Sequence, residues 1–460
     1  MDYQLIVIGA GPGGYVAALR AAKLGLKVAV AENREPGGTC LNRGCVPTKT
    51  LLHSSRIYSD VLRGDNIGIT ADGIKIDMKA VFARKRSICE KLSAGIETMF
   101  KSAKVDLLRG TGKISAPGEV EVVSGEKVCK YTCENILVAT GSVPAKPPIP
   151  GLDLPGVYTS DELLEGSDRL FKSIVIIGGG VIGVEFANFY NDLGCDVTVI
   201  EGMDRLLPVM DKELSQNLSM IFKKRGIKIY VNSMVECIEK GSDGVSVKFK
   251  SKDVQGEAAG EAVLCAIGRK PFFDGLFADK LTPETDGNRI KVDENYQTSI
   301  PGIFAIGDVS SKIQLAHYAS AQGTAFADML CGKRNDTDMN VVPSCIYCRP
   351  EIASVGMTEA QCKDADIPVK TGKATMFGNA KTVIANGDRA FMKVVAHADT
   401  HKVLGAQFMC ENATDMISQI SEAVANGMTA EQLMYAMRPH PTFEESLSDA
   451  LTDLISKFNG

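Results

Sequence analysis

The chain writes one local unit twice. Leu5-Ile6-Val7-Ile8-Gly9-Ala10-Gly11-Pro12-Gly13-Gly14 leads through a helical stretch to Lys27-Val28-Ala29-Val30-Ala31-Glu32. Much later, Ile174-Val175-Ile176-Ile177-Gly178-Gly179-Gly180-Val181-Ile182-Gly183 leads through another to Asp196-Val197-Thr198-Val199-Ile200-Glu201. From first glycine to closing glutamate is 23 positions in each copy (32 − 9 and 201 − 178). An apolar run that breaks at G-x-G-x-x-G and reopens as a second apolar run predicts strand, turn, helix, strand. The glycines allow the tight turn, the approach of a pyrophosphate to the helix N-terminus, and close packing of helix on strand. The acid accepts from a ribose diol. Glycines acting as turns alone leave the two glutamates unexplained. The duplication therefore predicts two dinucleotide sites in an α/β chain.

Directly after the first unit comes Gly37-Gly38-Thr39-Cys40-Leu41-Asn42-Arg43-Gly44-Cys45-Val46-Pro47-Thr48-Lys49. One helical turn or tight loop brings two cysteines at this spacing within disulfide reach. A disulfide beside a nucleotide cofactor is a device for passing two electrons. The first site should then hold a resident cofactor and the second an exchanging one. FAD suits the first role and NAD the second, because a flavin accepts hydride from a nicotinamide and also reacts with thiolates.

At 460 residues the chain has room for about three domains. Ile136-Leu137-Val138-Ala139-Thr140-Gly141-Ser142 reads as a buried strand closing on a small-residue turn, followed by a proline-rich linker over residues 144–155. Ala262-Val263-Leu264-Cys265-Ala266-Ile267-Gly268-Arg269 closes the second unit in the same way. Gly302-Ile303-Phe304-Ala305-Ile306-Gly307-Asp308 is a further such strand, its acid suited to a sugar-like hydroxyl chain. The expected division is a Rossmann-like FAD domain of residues 1–143 and 272–340, a Rossmann-like NAD domain of 144–271, and a C-terminal α+β interface or dimerisation domain of 341–460. In the last, strand-like runs alternate with amphipathic helices such as residues 413–425.

Several classes are excluded. A net charge of −5 on this length implies neither nucleic acid nor an anionic membrane as partner. No apolar run approaches bilayer length, and the opening apolar residues read as a strand, not a signal peptide. Thirteen cysteines without a regular framework predict a reducing compartment, with the cytoplasm as default. Cys345 and Cys348 form a lone C-x-x-C, and Cys129 and Cys133 lie far away in sequence; two thiols in an interface strand is the expectation, and no metal site is predicted.

Thiol exchange needs a base, because only the thiolate attacks. Of five histidines (His53, His317, His397, His401 and His440), His440 stands out in Arg438-Pro439-His440-Pro441-Thr442-Phe443-Glu444-Glu445. Two readings stand. His440 is a general base oriented by a nearby carboxylate, or a loop residue ahead of a helix that Thr442 caps with Glu445 completing a capping box. The two are compatible.

These motifs, together with Leu315-Ala316-His317, resemble the pyridine nucleotide–disulfide oxidoreductases over the whole chain, in order and in spacing. Within that family the similarity is strongest to members that oxidise dihydrolipoyl groups with NAD. The resemblance implies a homodimer in which the histidine is supplied by the other subunit. It implies Cys45 as the flavin-proximal, charge-transfer thiolate and Cys40 as the thiol that exchanges with substrate. His440 becomes the base, Glu445 its orienting partner, and Lys49 with Glu185 a pair beside the reactive flavin nitrogen. Gly9, Gly11, Gly14, Glu32, Gly112, Thr140, Gly141, Ser142, Asp308, Ala316 and His317 match FAD contacts. Gly178, Gly180, Gly183, Glu201, Val235 and Gly268 match pyridine nucleotide contacts. The implied reaction oxidises protein-bound dihydrolipoamide to lipoamide, serving a 2-oxoacid dehydrogenase or glycine cleavage complex through a lipoyl-bearing partner. The chain opens at its first strand, so the lipoyl group is expected on another protein.

Relatives that reduce glutathione share the cysteines and histidine but use NADP. Glu201 argues against them, since it accepts from a 2′-hydroxyl and repels a 2′-phosphate; Arg205 is the only guanidinium close by. Mercuric-ion reductases carry a C-terminal cysteine pair, absent from the Ile455-Ser456-Lys457-Phe458-Asn459-Gly460 tail. Arg438, Pro439 and Glu444 depart from the family pattern around the histidine and leave substrate preference open.

Overall fold

A computed structural model describes residues 1–458 apart from 167, 243 and 253, so the last two residues of the tail lie outside it. Both predicted units form as written. Tyr3–Ile8 turns into the helix Pro12–Lys23 and returns as Val28–Glu32. Ser173–Ile177 turns into Val181–Asp192 and returns as Asp196–Ile200. Each strand pair is parallel, Leu5 facing Val28 and Ile174 facing Val197.

The first unit nucleates a parallel sheet in the order Asp106–Arg109, Val28–Glu32, Tyr3–Ile8, Lys127–Val138, Ile303–Ala305. Lys127–Val138 is long enough to join an antiparallel meander with Thr111–Ala116 and Glu119–Ser124 as well. The second unit builds another parallel sheet, ordered Lys228–Tyr230, Asp196–Ile200, Ser173–Ile177, Ala262–Cys265, Val157–Thr159. Central strands of both sheets are continuous apolar runs because each sheet is covered on one face by helices and on the other by an antiparallel β layer, hence Val, Ile and Leu without alternation. Each such side chain buried contributes about 1.5–3 kcal/mol.

The chain crosses between the two sheets twice, and the crossings run side by side. Ser142–Pro144 pairs antiparallel with Arg269–Pro271, Ser142 facing Pro271.

The C-terminal part is an antiparallel sheet ordered Ser344–Ile346, Glu351–Gly356, Val403–Cys410, Phe391–His397, Val369–Thr375, with the helix Glu445–Ser456 packed on its far strands. The helix expected over residues 413–425 is two pieces, Ala413–Met416 and Ser418–Ala425. The turn between them buries Ile417 in the local core while leaving Thr414 and Ser418 on a cavity wall. Among the described residues, no helix is long and apolar enough to cross a membrane.

Candidate active site

The cysteine segment folds as two helices that meet at Gly44. Cys40 lies within Gly38–Arg43, and Cys45 is the first residue of Cys45–Leu62. Free N–H groups at a helix start favour negative charge on that thiol, and Lys49 adds an ammonium one turn on. Cys40 hydrogen-bonds to Cys45. That bond, then the Lys49 charge, bring Cys45 down to about 7 against the burial that opposes them. The same bond, burial and the charge of Cys45 push Cys40 up. In the reduced pair Cys45 carries the charge and Cys40 the proton.

Lys49 Nζ donates to both carboxylate oxygens of Glu185, at 2.9 and 2.8 Å. Glu185 has a side chain only 4% exposed, on the helix of the second unit, and its Oε1 also accepts the Tyr347 N–H at 3.0 Å. A buried carboxylate is thus fully partnered.

Both cysteines open into one continuous cavity of about 1770 Å³. Gly9, Gly11, Glu32, Gly112, Thr140, Gly141, Ser142, Asp308, Ala316 and His317 line it from the first unit's side. Gly178, Gly180, Glu201, Val235 and Gly268 line it from the second's, with Lys49 and Glu185 between. Gly14 and Gly183 are not on the wall. They lie beneath the turns, where an added Cβ would come within 1.9 Å of the Gly9 and Gly178 carbonyl oxygens respectively. Only glycine permits this closeness of helix to strand.

The cavity fits two dinucleotides. Gly11 and Gly180 cap their helices with no side-chain bond, leaving N–H groups directed at the cavity for a pyrophosphate. A Cβ at Gly180, Gly141 or Gly268 would meet nothing, so the backbone is bare to a ligand there. The closing acids are held alike. Glu32 accepts from Ala10 N and Arg34 N, both at 2.8 Å. Glu201 accepts from Gly179 N at 2.5 Å and Met203 N at 2.7 Å. One N–H on each oxygen fixes the carboxylate and leaves lone pairs for a ribose. Arg205 turns away from the cavity, onto Asp204 and the Pro208 carbonyl.

Asp308 accepts from the Ser142 hydroxyl at 2.6 Å, and burial raises its carboxyl. His317 Nε2 lies 2.9 Å from the Pro343 carbonyl, tying the helix Ala316–Leu330 to the C-terminal part. His440 does not line the cavity of its own chain. Its Nδ1 lies 2.8 Å from Glu445 Oε1, and its side chain is 72% exposed. The expected capping box is only half made. Glu445 Oε2 accepts the Thr442 N–H at 2.9 Å, but the Thr442 hydroxyl donates to the Pro439 carbonyl and the helix begins at Glu445 itself. One carboxylate therefore serves both the turn and the imidazole. Arg438 folds back onto its own domain, donating to the Leu433 carbonyl and the Ser448 hydroxyl.

Two site residues escaped the sequence reading. Arg269 donates to the Ser142 hydroxyl and carbonyl, both at 2.8 Å, and pairs with Asp161 at 3.2 Å. The only signal was its place just after Gly268. Tyr347 sits between Cys345 and Cys348; its ring lies 4.6 Å from Lys49 Nζ while its N–H holds Glu185. Cys345 borders the cavity beside Thr414, and Cys348 is buried against the Pro350 carbonyl. Among the described residues, no group of three or more His, Cys, Asp or Glu is placed to hold a metal ion.

Comparison with known proteins places the whole chain. The family model described as pyridine nucleotide-disulphide oxidoreductase matches residues 3–323, and that family's dimerisation domain matches residues 342–451. The chain is 37% identical to a dihydrolipoyl dehydrogenase of Bacillus subtilis, over 98% of this chain and 97% of that one. It is 35% identical to a dihydrolipoyl dehydrogenase of Rhizobium etli, over 99% and 98%. A solved structure of LpdA from Mycobacterium tuberculosis superposes with a TM-score of 0.90 at 27% identity, covering 98% of this chain and 99% of that one. With a duplicated dinucleotide fold, a cysteine pair between the two sites and a matched dimerisation domain, the chain belongs to the pyridine nucleotide-disulphide oxidoreductase family.

Proposed function

We propose that this chain is a dihydrolipoyl dehydrogenase, oxidising a dihydrolipoyl dithiol to the disulfide with reduction of NAD. The observation that carries the reading is that an unequal thiol pair and both glycine turns share one cavity. Gly9, Gly11, Gly14, Glu32, Gly112, Thr140, Gly141, Ser142, Asp308, Ala316 and His317 would hold FAD. Gly178, Gly180, Gly183, Glu201, Val235 and Gly268 would hold NAD. Bound FAD supplies a two-electron carrier between the thiolate and NAD.

The residues divide the thiol chemistry. A substrate thiolate attacks the Cys40 sulfur of the Cys40–Cys45 disulfide; the new bond forms on Cys40, and Cys45 leaves as a thiolate. A low-pKa thiol leaves fastest, and Cys45 is the one so adjusted. The second substrate thiol attacks the mixed disulfide, closing the substrate disulfide and releasing Cys40. His440 takes the proton each attack must shed, with Glu445 holding its Nδ1. Lys49, fixed by Glu185, keeps positive charge beside Cys45.

His440 reaches this chemistry across a homodimer. It lies outside its own chain's cavity, and around it Tyr435 and Met437 on its own segment and Phe377, Val383 and Ile384 on the segment tied to it by the Asn379 bond to the Thr442 carbonyl are exposed, apolar side chains suited to a second copy. The working division is an FAD part of residues 1–143 and 272–340, an NAD part of 144–271 and an interface part of 341–460, in a cytoplasmic protein serving a lipoyl-bearing partner of a 2-oxoacid dehydrogenase or glycine cleavage complex. Mixing the purified protein with dihydrolipoamide and NAD tests the reading. NADH must form at the expense of the dithiol; its absence with FAD bound rejects the assignment.

A further inference from the structure

Two exposed thioethers line the cavity beside the acid that closes the second unit. Among the described residues, Met203 and Met234 are the methionines that line the cavity, and they are 56% and 65% exposed. Met203 stands two positions after the pocket acid, its N–H bonded to Glu201 Oε1 at 2.7 Å. Met234 precedes Val235 on the neighbouring strand Ser233–Lys240. Gly202 leaves room for Met234 beside the turn that carries Met203: a Cβ there would lie 2.8 Å from the Met234 sulfur. Two flexible thioethers therefore flank the cavity next to the carboxylate placed for the adenine-side ribose, where a flat heteroaromatic ring must lie. Sulfur contacts to aromatic rings are favourable, and unbranched side chains adapt to both ring faces.

We propose that Met203 and Met234 clamp the adenine of the pyridine nucleotide, and that their oxidation by a hydroperoxide releases it. This rests on the reading of the second unit as the NAD site. In the oxidation each sulfur loses an electron pair to one peroxide oxygen; the S–O bond forms, the O–O bond breaks, and the other oxygen leaves as water or alcohol. The sulfoxide is polar and chiral, so the apolar contact is lost until it is reduced.

ADP-ribose tests this without redox turnover, because it carries adenine, both riboses and pyrophosphate but no nicotinamide. Its binding to the FAD-loaded, disulfide-oxidised protein is measured by calorimetry, with flavin absorbance reporting that each variant is folded. Met203→Ala with Met234→Ala weakens binding by about tenfold, whereas Met203→Leu with Met234→Leu stays within about twofold. Peroxide treatment weakens wild-type binding but leaves the leucine pair unchanged, with peptide mass spectrometry locating the added oxygens. Unchanged affinity in the alanine pair, or equal loss on peroxide in wild type and leucine pair, overturns the clamp. If wild type itself does not bind ADP-ribose, the NAD reading falls first.

Discussion

Lys49 and Glu185 are 136 positions apart in the chain and bonded through both carboxylate oxygens. Lys49 stands one turn inside the helix that begins at Cys45; Glu185 stands one turn inside the helix that begins at the second glycine turn. A single ion pair thus joins the thiol centre to the dinucleotide turn opposite. It also bears on the charge of Cys45: after the Cys40 hydrogen bond, the Lys49 ammonium is the next force lowering that thiol, while the Glu185 carboxylate opposes it.

Lys49→Met raises the pKa of Cys45. The sign follows from its cause: a thiol lowered to about 7 is thiolate above that pH and protonated below it, and removing the cation moves the transition upward. Alkylation of the reduced pair, followed from acid to neutral pH, should slow by about tenfold per unit of rise at pH below the wild-type value. An unmoved profile would mean that Cys40 and the helix start suffice.

The unequal thiols predict unequal variants. Cys40→Ser leaves a Cys45 thiolate beside bound flavin and keeps a long-wavelength absorption band. Cys45→Ser abolishes the band. Spectra of the two purified variants with FAD bound decide the matter, and the opposite pattern reverses the roles.

His440→Gln should retain FAD yet lose on the order of a hundredfold or more in dithiol turnover, as removal of a general base does. Glu445→Gln keeps an acceptor for the Thr442 N–H but no charge for the imidazole. It should keep the wild-type thermal midpoint and lose part of the turnover, while Glu445→Ala loses both. Equal behaviour of the two Glu445 variants would separate the turn from the chemistry.

Arg225→Ala tests the packing behind the second unit. Arg225 pairs with Asp192 at 2.7 Å, and the Asp192 side chain is 1% exposed. Removing one partner strands the other in the interior, which costs about 3 kcal/mol. Urea unfolding followed by the flavin and by far-ultraviolet dichroism should show that loss. Arg225→Met with Asp192→Leu should recover much of it.

What could be read before the structure divides by physical cause. Glycines and closing acids were legible because backbone geometry imposes their spacing, so Glu32 and Glu201 receive matching pairs of N–H donors. Lys49 and Glu185 could be named only through resemblance, because pairing over such a separation leaves no local periodicity. Arg269 and Tyr347 were missed because their roles depend on where a crossing strand and an interface strand end in space. The helix expected over residues 413–425 is interrupted only at Ile417, which keeps right-handed helical dihedrals and the Ile417 N–H to Ala413 carbonyl bond, so the amphipathic spacing carried across the turn.

The most direct measurement compares NADH and NADPH as reductants of lipoamide, oxidised glutathione and Hg(II) with the FAD-loaded protein. A buried, N–H-anchored Glu201 facing the cavity, with Arg205 turned away, predicts NADH with lipoamide as the preferred pair. Preference for NADPH with oxidised glutathione would contradict the account.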